Sequence, residues 1–158
     1  MQIASFFNWN LLRRLLLGTC LLFAVFAACA DIVDIDNAEL AKLAAAGVPV
    51  IDIRTRPERV ETGILPGSHL LTFFDERGKA DPAAWLAKAK AIAKPGDPLV
   101  VICRSGNRTK ALSQFLSQQA GYAKVYNVRN GIRAWVQEGR PVVTAAPILA
   151  ACRGAKTC

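Results

Sequence analysis

One cysteine lies at the end of an apolar segment and at the start of a polar turn. The segment Leu99–Ile102 is a continuous aliphatic run, typical of a strand buried on both faces, and Cys103 follows it directly. The turn Arg104–Arg108 comes next, and a helical period begins at Thr109 and ends near Gly121. Backbone N–H groups of such a turn, with the positive end of the helix, favour a thiolate over a thiol. The spacing therefore predicts that Cys103 is a nucleophile.

The turn after this cysteine supplies groups that suit an anionic substrate. It consists of Arg104, Ser105, Gly106, Asn107 and Arg108. The two arginines offer positive charge to an incoming anion and to a leaving group. Gly106 lets the backbone fold tightly around the sulfur, and Asn107 tolerates left-handed backbone geometry. We predict that these five residues bind the substrate. The alternative, a buried structural cysteine, would not require a polar turn that contains glycine.

The rest of the chain alternates apolar segments with helical periods. Strands are predicted at 32–35, 49–54, 70–73, 99–102 and 124–128, helices at 38–46, from 82, from 109 and at 132–137, and a loop or short helix at 55–62. This alternation indicates an α/β domain, in which helices cover both faces of a parallel sheet. Ligands of such sheets bind beyond the carboxyl ends of the strands, so Asp52 and Arg54 are expected at the same edge as Cys103. We interpret Asp52 and Arg54 as a supporting ion pair, and Glu58 stays ambiguous.

The first thirty residues have the pattern of a signal peptide. Arg13 and Arg14 precede the uncharged run Leu15–Ala30, which ends in the small-x-small triplet of a signal-peptidase site. We expect a signal peptide over 1–30, an exported, periplasmic domain over 31–144 and a tail over 145–158 that leaves the domain. Two alternatives stay open, lipidation of Cys29 and an uncleaved anchor. Only these two would bring the protein to a membrane.

The five cysteines fall into three groups. Cys20 and Cys29 lie in the predicted signal peptide, whereas Cys152 and Cys158 lie in the tail and can form a disulfide in an oxidising compartment. Cys103 is left over, and reactivity gives an exported chain a reason to keep it. The tail cysteines lack nearby ligands at zinc spacing, so no metal and no cofactor are predicted.

The chain is basic, with a net charge of +8 that falls to +6 without the two arginines of the signal peptide. Such a surface attracts anions in general. Lysines and arginines are scattered and form no basic stripe interleaved with aromatics, which argues against nucleic acid as a partner.

Five segments, in this order, resemble the signatures of single-domain rhodaneses. They are VIDIR at 50–54, Glu58, GILPGS at 63–68, CRSGNR at 103–108 and NGIRAW at 130–135. The resemblance covers about Ile35–Pro141. It departs at Ile64 and Asn130, where the family often has histidine and glycine.

The resemblance implies a rhodanese-like fold with a central parallel five-stranded sheet, and it implies sulfur transfer. Cys103 would take a sulfane sulfur from a donor such as thiosulfate and pass it, as a persulfide, to a thiol, dithiol or cyanide. A persulfide carrier for one protein partner is an alternative. A cysteine phosphatase or arsenate reductase of related fold is another, but those enzymes have one more residue in the loop. A Cys–His hydrolase is disfavoured because His69 is the single histidine.

Overall fold

A computed structural model describes residues 31–151, in which strands and helices alternate until two consecutive helices end this range. The strands are β1 (Asp31–Ile35), β2 (Val50–Asp52), β3 (His69–Leu70), β4 (Leu99–Ile102) and β5 (Lys124–Val128). The helices are α1 (Asn37–Ala45), α2 (Arg56–Thr62), α3 (Pro82–Ile92), α4 (Asn107–Gln118), α5 (Gly131–Gln137) and α6 (Ala145–Ala151). Between residues 31 and 151, no helix has the length and apolar character needed to cross a membrane. The predicted signal peptide, the lipidation of Cys29 and the Cys152–Cys158 disulfide lie outside the described residues.

The five strands form one sheet in the order β1-β5-β4-β2-β3, and every neighbouring pair is parallel. This confirms the predicted α/β fold with a five-stranded parallel sheet. The central strand β4 lies between β5 and β2, and Ile102 is in register with Asp52. Because their strands end side by side, Cys103 and the Asp52–Arg54 segment leave the sheet at the same edge, as predicted.

Side chains of β4 alternate between the two faces of the sheet. Leu99 and Val101 pack with residues of α3 and α4, whereas Val100 and Ile102 pack with residues of α1 and α5. All four are completely buried, which matches the prediction of a strand covered on both faces. Cys103 continues the alternation and joins the cluster on the α3 and α4 side.

Helix ends follow the capping residues of the sequence. The Asp36 carboxylate accepts from Glu39 N–H at 2.9 Å, and Asp81 accepts from Ala84 N–H at 3.0 Å. The segment predicted as a loop or short helix is helix α2, which opens with a capping box between Thr55 and Glu58.

The predicted strands are longer than the observed ones at the functional edge. β2 ends at Asp52 and β3 at Leu70, and the chain beyond them continues as separate backbone hydrogen bonds. Ile53 N–H donates to Ile102 O at 3.0 Å, and Phe73 N–H donates to Ile53 O at 3.2 Å. The segments that follow β2 and β3 therefore stay hydrogen-bonded to one another and to the end of β4 at this edge.

The described part of the expected C-terminal tail does not leave the domain. Residues 145–151 form α6, and its Ala145 and Leu149 bury against Ile64 and Leu70. Two hydrogen bonds between Ile64 and Val143 lead the chain into this position. Ile64, at the position where rhodaneses often have histidine, is almost completely buried here. The expectation of a free tail is wrong for these residues because small side chains suit close helix packing as well as they suit a linker.

Candidate active site

The sulfur of Cys103 lies at the bottom of the loop between β4 and α4. Gly106 N–H donates a hydrogen bond to Sγ at 3.2 Å, and Thr109 Oγ1 lies 3.4 Å from Sγ. The Thr109 hydroxyl also donates to Gly106 O at 3.0 Å. Both residues that contact the sulfur are buried, as is Cys103 itself. The side chain predicted to be the nucleophile therefore has two hydrogen-bond partners. Gly106 N–H can stabilise a negative charge on sulfur directly, and Thr109 can do so when its hydroxyl proton turns from Gly106 O to the sulfur.

Gly106 gives the loop its tight curvature. Its φ of 90° is left-handed, and an added Cβ would lie 1.9 Å from Arg129 O. No residue other than glycine has a positive φ between Asp31 and Ala151. The left-handed geometry predicted for Asn107 therefore falls on Gly106, and Asn107 is the first residue of α4. Helical geometry at Asn107 leaves its N–H free of an intrahelical partner, as at any helix start.

The first turn of α5 binds the outward carbonyls of the loop. Ile132 N–H donates to Cys103 O at 2.9 Å, and Arg133 N–H donates to Arg104 O at 3.2 Å. Gly131 makes this approach possible, because a Cβ there would lie 2.4 Å from Cys103 O. The N–H and C=O of a trans peptide point in opposite directions. Helix α5 therefore holds the loop so that the carbonyls of Cys103 and Arg104 point towards the helix, and the N–H groups of the same peptides point away from it.

Arg108 is bound by Glu58 from helix α2. Its two terminal nitrogens donate to the two carboxylate oxygens at 3.0 and 2.5 Å, which is a bidentate ion pair. Burial opposes ionisation of Glu58, but the bonds from Arg108 and from Thr55 N–H outweigh it and lower the pKa of Glu58 to about 2. The bond to Glu58 likewise raises the pKa of Arg108, and the charge of a Cys103 thiolate adds to that effect.

The other predicted binding residues lie on the rim of the loop. Arg104 is exposed, and its guanidinium lies 3.7 Å from the Glu61 carboxylate, which is exposed too. Ser105 and Asn107 are also exposed, and Ser105 lines a shallow pocket beside Arg133 of α5. The loop is therefore held between α5 on one side and two glutamates of α2 on the other.

Asp52 and Arg54 form the buried ion pair that the sequence predicts. Arg54 donates to the Asp52 carboxylate at 2.6, 2.9 and 3.1 Å. Its remaining side-chain hydrogen bonds go to Glu58 O and Thr62 Oγ1 of α2 and to Gly63 O directly after the helix. The pair therefore ties α2 to the end of strand β2, and α2 carries Glu58.

A second buried arginine, which the sequence analysis missed, shares the same carboxylate. Arg59 of α2 donates to Asp52 O at 2.6 Å, and its Nε lies 3.7 Å from Asp52 Oδ1. Burial lowers the pKa of Arg59, and the charge of Asp52 opposes that shift. An arginine inside a charged segment gives no sign of burial in the sequence. Thr109 was also missed, although a polar residue on the apolar side of a helix's first turn is a usable signal.

The arrangement suits a sulfur nucleophile that attacks an anion. The hydrogen-bond donors near the sulfur are a backbone N–H group and a hydroxyl group. The positive charges of the loop are those of Arg104 and Arg108, and each of them lies beside a glutamate. Between residues 31 and 151, no group of three or more histidine, cysteine, aspartate or glutamate side chains is arranged to hold a metal ion.

Comparison with known proteins agrees with this reading. Residues 36–138 match the family described as Rhodanese-like domain. A sulfurtransferase of Allochromatium vinosum is 32% identical over 117 residues, which cover 70% of this chain and 94% of that protein. Thiosulfate sulfurtransferase 18 of Arabidopsis thaliana is 28% identical over 119 residues, which cover 72% of this chain and 85% of the plant protein.

A solved structure supports the same assignment. The rhodanese-related protein from Thermoplasma volcanium has a TM-score of 0.53 to this chain and 31% sequence identity. The match covers 71% of this chain and 98% of that protein. The resemblance seen in the five sequence segments is thereby confirmed, and the chain belongs to the rhodanese-like domain family of sulfurtransferases.

Proposed function

We propose that the protein transfers sulfane sulfur through a persulfide on Cys103. The thiolate takes the sulfur from an anionic donor such as thiosulfate and passes it to a thiol, a dithiol or cyanide. The observation that carries the proposal is the pair of partners at Sγ, Gly106 N–H at 3.2 Å and Thr109 Oγ1 at 3.4 Å. Two such groups stabilise negative charge on sulfur before the reaction, and on the terminal sulfur afterwards. The name of the plant relative supports thiosulfate as a donor.

Each half of the reaction is a displacement at sulfur. The Cys103 thiolate attacks the outer sulfur of thiosulfate, the new S–S bond forms, and the electron pair of the broken bond leaves with sulfite. In the second half, the acceptor attacks the terminal sulfur of the persulfide, and Cys103 leaves as a thiolate. Charge and atoms balance in both halves without an added oxidant or reductant. The Thr109 hydroxyl supports both, since its proton can turn from Gly106 O to the sulfur.

The position of Arg108 disfavours the phosphatase alternative. Phosphate transfer needs an arginine that clasps the transferred group, whereas both terminal nitrogens of Arg108 donate to Glu58. The loop between Cys103 and Arg108 is also one residue shorter than in the phosphatases that it resembles. A dedicated persulfide carrier would use the same chemistry at Cys103, and acceptor range separates it from a general enzyme. Equal transfer to several small thiols argues against a dedicated partner.

We also propose that the domain works outside the cytoplasm, after cleavage behind Ala30. The support is the sequence of residues 1–30, with Arg13 and Arg14 ahead of an uncharged run. Edman sequencing that begins at Asp31 would support cleavage. A lipidated Cys29 at the N-terminus, or an intact Met1, would contradict it.

The first experiment is the intact mass of the purified mature protein before and after thiosulfate, without reductant. We expect a gain of one sulfur atom that cyanide removes, and peptide mapping should locate it on Cys103 rather than on Cys152 or Cys158. The Cys103→Ser variant is the control, and it should fold normally and gain no sulfur. Absence of a gain in the unaltered protein, together with hydrolysis of an aryl phosphate, would support the phosphatase alternative instead.

A further inference from the structure

The two arginines of the Cys103 loop differ in how their charge is compensated. Arg108 forms a bidentate pair with Glu58, and the two side chains are 30% and 18% exposed. Arg104 approaches Glu61 only to 3.7 Å, and these side chains are 47% and 61% exposed. Solvent weakens the outer pair far more than the inner one. Glu58 therefore offsets the charge of Arg108 next to the Cys103 sulfur, whereas the charge of Arg104 at the rim is only weakly compensated.

Glu58 is fixed in place by groups other than Arg108. Its Oε2 accepts from Thr55 N–H at 3.0 Å and lies 3.2 Å from Thr55 Oγ1, so the same carboxylate caps helix α2. Moving Glu58 away from Arg108 would uncap the helix. Ionisation also persists, because a pKa of about 2 keeps the Glu58 carboxylate charged at neutral pH.

Two buried arginines also fix the position of helix α2. Arg54 donates to Thr62 Oγ1 and Gly63 O, and Arg59 donates to Asp52 O. Both arginine side chains are buried, and each also lies beside the Asp52 carboxylate. Glu58 is thus a fixed negative charge beside the loop, not a surface residue that adapts to the substrate.

We propose that Glu58 is a specificity-determining residue that sets the charge of the accepted sulfur donor. By pairing with Arg108, it lowers the net positive charge beside the Cys103 sulfur, whereas Arg104 keeps its charge at the rim of the loop. This balance of charges favours organic persulfides, whose sulfane group carries at most one negative charge. It is less favourable for thiosulfate, which is a dianion. The inference rests on the proposed function, since it concerns which donor loads Cys103.

The chemical step is the same for both classes of donor. The Cys103 thiolate attacks the outer sulfur of R–S–SH, the S–S bond of the donor breaks, and R–S⁻ leaves with the electron pair. The proton stays on the transferred sulfur, and the product is the same persulfide. The leaving thiolate carries one negative charge, whereas sulfite carries two, so thiosulfate needs more positive charge near the sulfur.

The test compares loading of Cys103 by thiosulfate and by cysteine persulfide in single-turnover experiments followed by intact mass. The unaltered protein should load faster from the persulfide. Glu58→Gln keeps the shape of the side chain and frees the charge of Arg108. We expect it to raise the second-order rate constant for thiosulfate about tenfold relative to that for the persulfide. The thiosulfate rate should also fall more steeply with salt in this variant, which a merely structural role would not produce.

Three further variants locate the effect. Glu39→Gln removes the same charge from the exposed Glu39–Lys42 pair of α1 and should leave the donor ratio unchanged. Arg108→Gln leaves Glu58 uncompensated and should lower thiosulfate loading selectively. The double variant Glu58→Gln/Arg108→Gln removes both charges and should return the ratio close to that of the unaltered protein. If Arg108 instead binds thiosulfate directly, the double variant stays as poor as Arg108→Gln alone.

The outcomes separate this inference from the proposed function. Loading by both donors, with faster loading from thiosulfate or with a ratio that Glu58→Gln does not change, overturns the role of Glu58 and leaves sulfur transfer intact. Failure of both donors to load Cys103 overturns the proposed function. Should Glu58→Gln fail to fold, the selective loss in Arg108→Gln and its rescue in the double variant still decide the question.

Discussion

Gly131 lies directly against Cys103, with room for no side chain between them. A Cβ on Gly131 would lie 2.4 Å from Cys103 O and 2.6 Å from Arg104 O. This contact lets the first N–H groups of α5 reach the two loop carbonyls. The orientation of the loop around the sulfur therefore depends on a residue that follows the nucleophile by a whole helix and strand.

Replacing Gly131 by alanine should damage both stability and reactivity. Its φ of 59° strains any other residue, and the added Cβ must push the loop away. We expect a loss of about 3 kcal/mol in the free energy of unfolding, measured with urea, and slower persulfide formation. Gly47→Ala is the matched control, since its φ of 80° is similar but nothing lies within 4 Å of the added Cβ. An equal loss in both variants would mean that backbone strain alone is responsible.

The Thr109 hydroxyl should matter for sulfur transfer more than the Thr109 methyl group. Thr109→Val keeps the volume but removes the group 3.4 Å from Cys103 Sγ. A lost hydrogen bond to a charged sulfur corresponds to about 1.5–3 kcal/mol, so persulfide formation should slow at least about tenfold. Thr109→Ser, which keeps the hydroxyl, should retain most of the rate. Equal rates in the valine and serine variants would exclude this role of the hydroxyl.

Asp52 should be among the most costly polar residues to replace. Its carboxylate is the shared partner of the buried Arg54 and Arg59. Asp52→Asn leaves two buried guanidiniums without a compensating charge, and removal of one partner of a buried ion pair costs about 3–5 kcal/mol. The free energy of unfolding measures this directly. Glu61→Gln, which removes an exposed carboxylate, should change it by less than about 0.5 kcal/mol. Comparable losses in the two variants would contradict the role given to Asp52.

Acid should weaken the protein partly through Glu58. The pKa of Glu58 is lowered from an ordinary 4.5 to about 2 because Arg108 and Thr55 bind the carboxylate. A lowered pKa stabilises the fold fully above the unfolded-state value and loses that contribution as the pH falls through the folded-state value. Urea unfolding between pH 5 and pH 2 should therefore show a decline, and in Glu58→Gln that decline should be shallower. Parallel curves would mean that Glu58 does not contribute.

The sheet and the nucleophile are predictable because each rests on a local pattern. The aliphatic run Leu99–Ile102 permits little but a buried strand, and Cys103 must then emerge at its carboxyl end. The glycine in the turn that follows Cys103 likewise predicts a tight turn. The residue with left-handed geometry in that turn is Gly106 and not Asn107. Contacts between distant segments are not predictable in this way, because apolar periodicity does not indicate which charged side chains meet.

Two features show that limit. Arg108 has the right charge for an anionic donor, and its partner Glu58 lies fifty residues earlier in the chain, so nothing local to either residue indicates the pairing. The small residues 145–151 carry no strong helical period, and their helix forms because Ile64 and Leu70 offer it an apolar surface. In both cases tertiary context decides what local preference leaves open.

The hydrogen bonds from α5 to the Cys103 loop also determine when, during synthesis of the chain, this loop can take its final conformation. Residues 131–133 are synthesised after the cysteine, so a chain that has grown only to the end of α4 has no groups to bind Cys103 O and Arg104 O. The contacts that fix the two loop carbonyls therefore form only after all five strands have been synthesised. Until that point, the carbonyls of Cys103 and Arg104 lack the N–H groups of α5 that bind them in the folded protein.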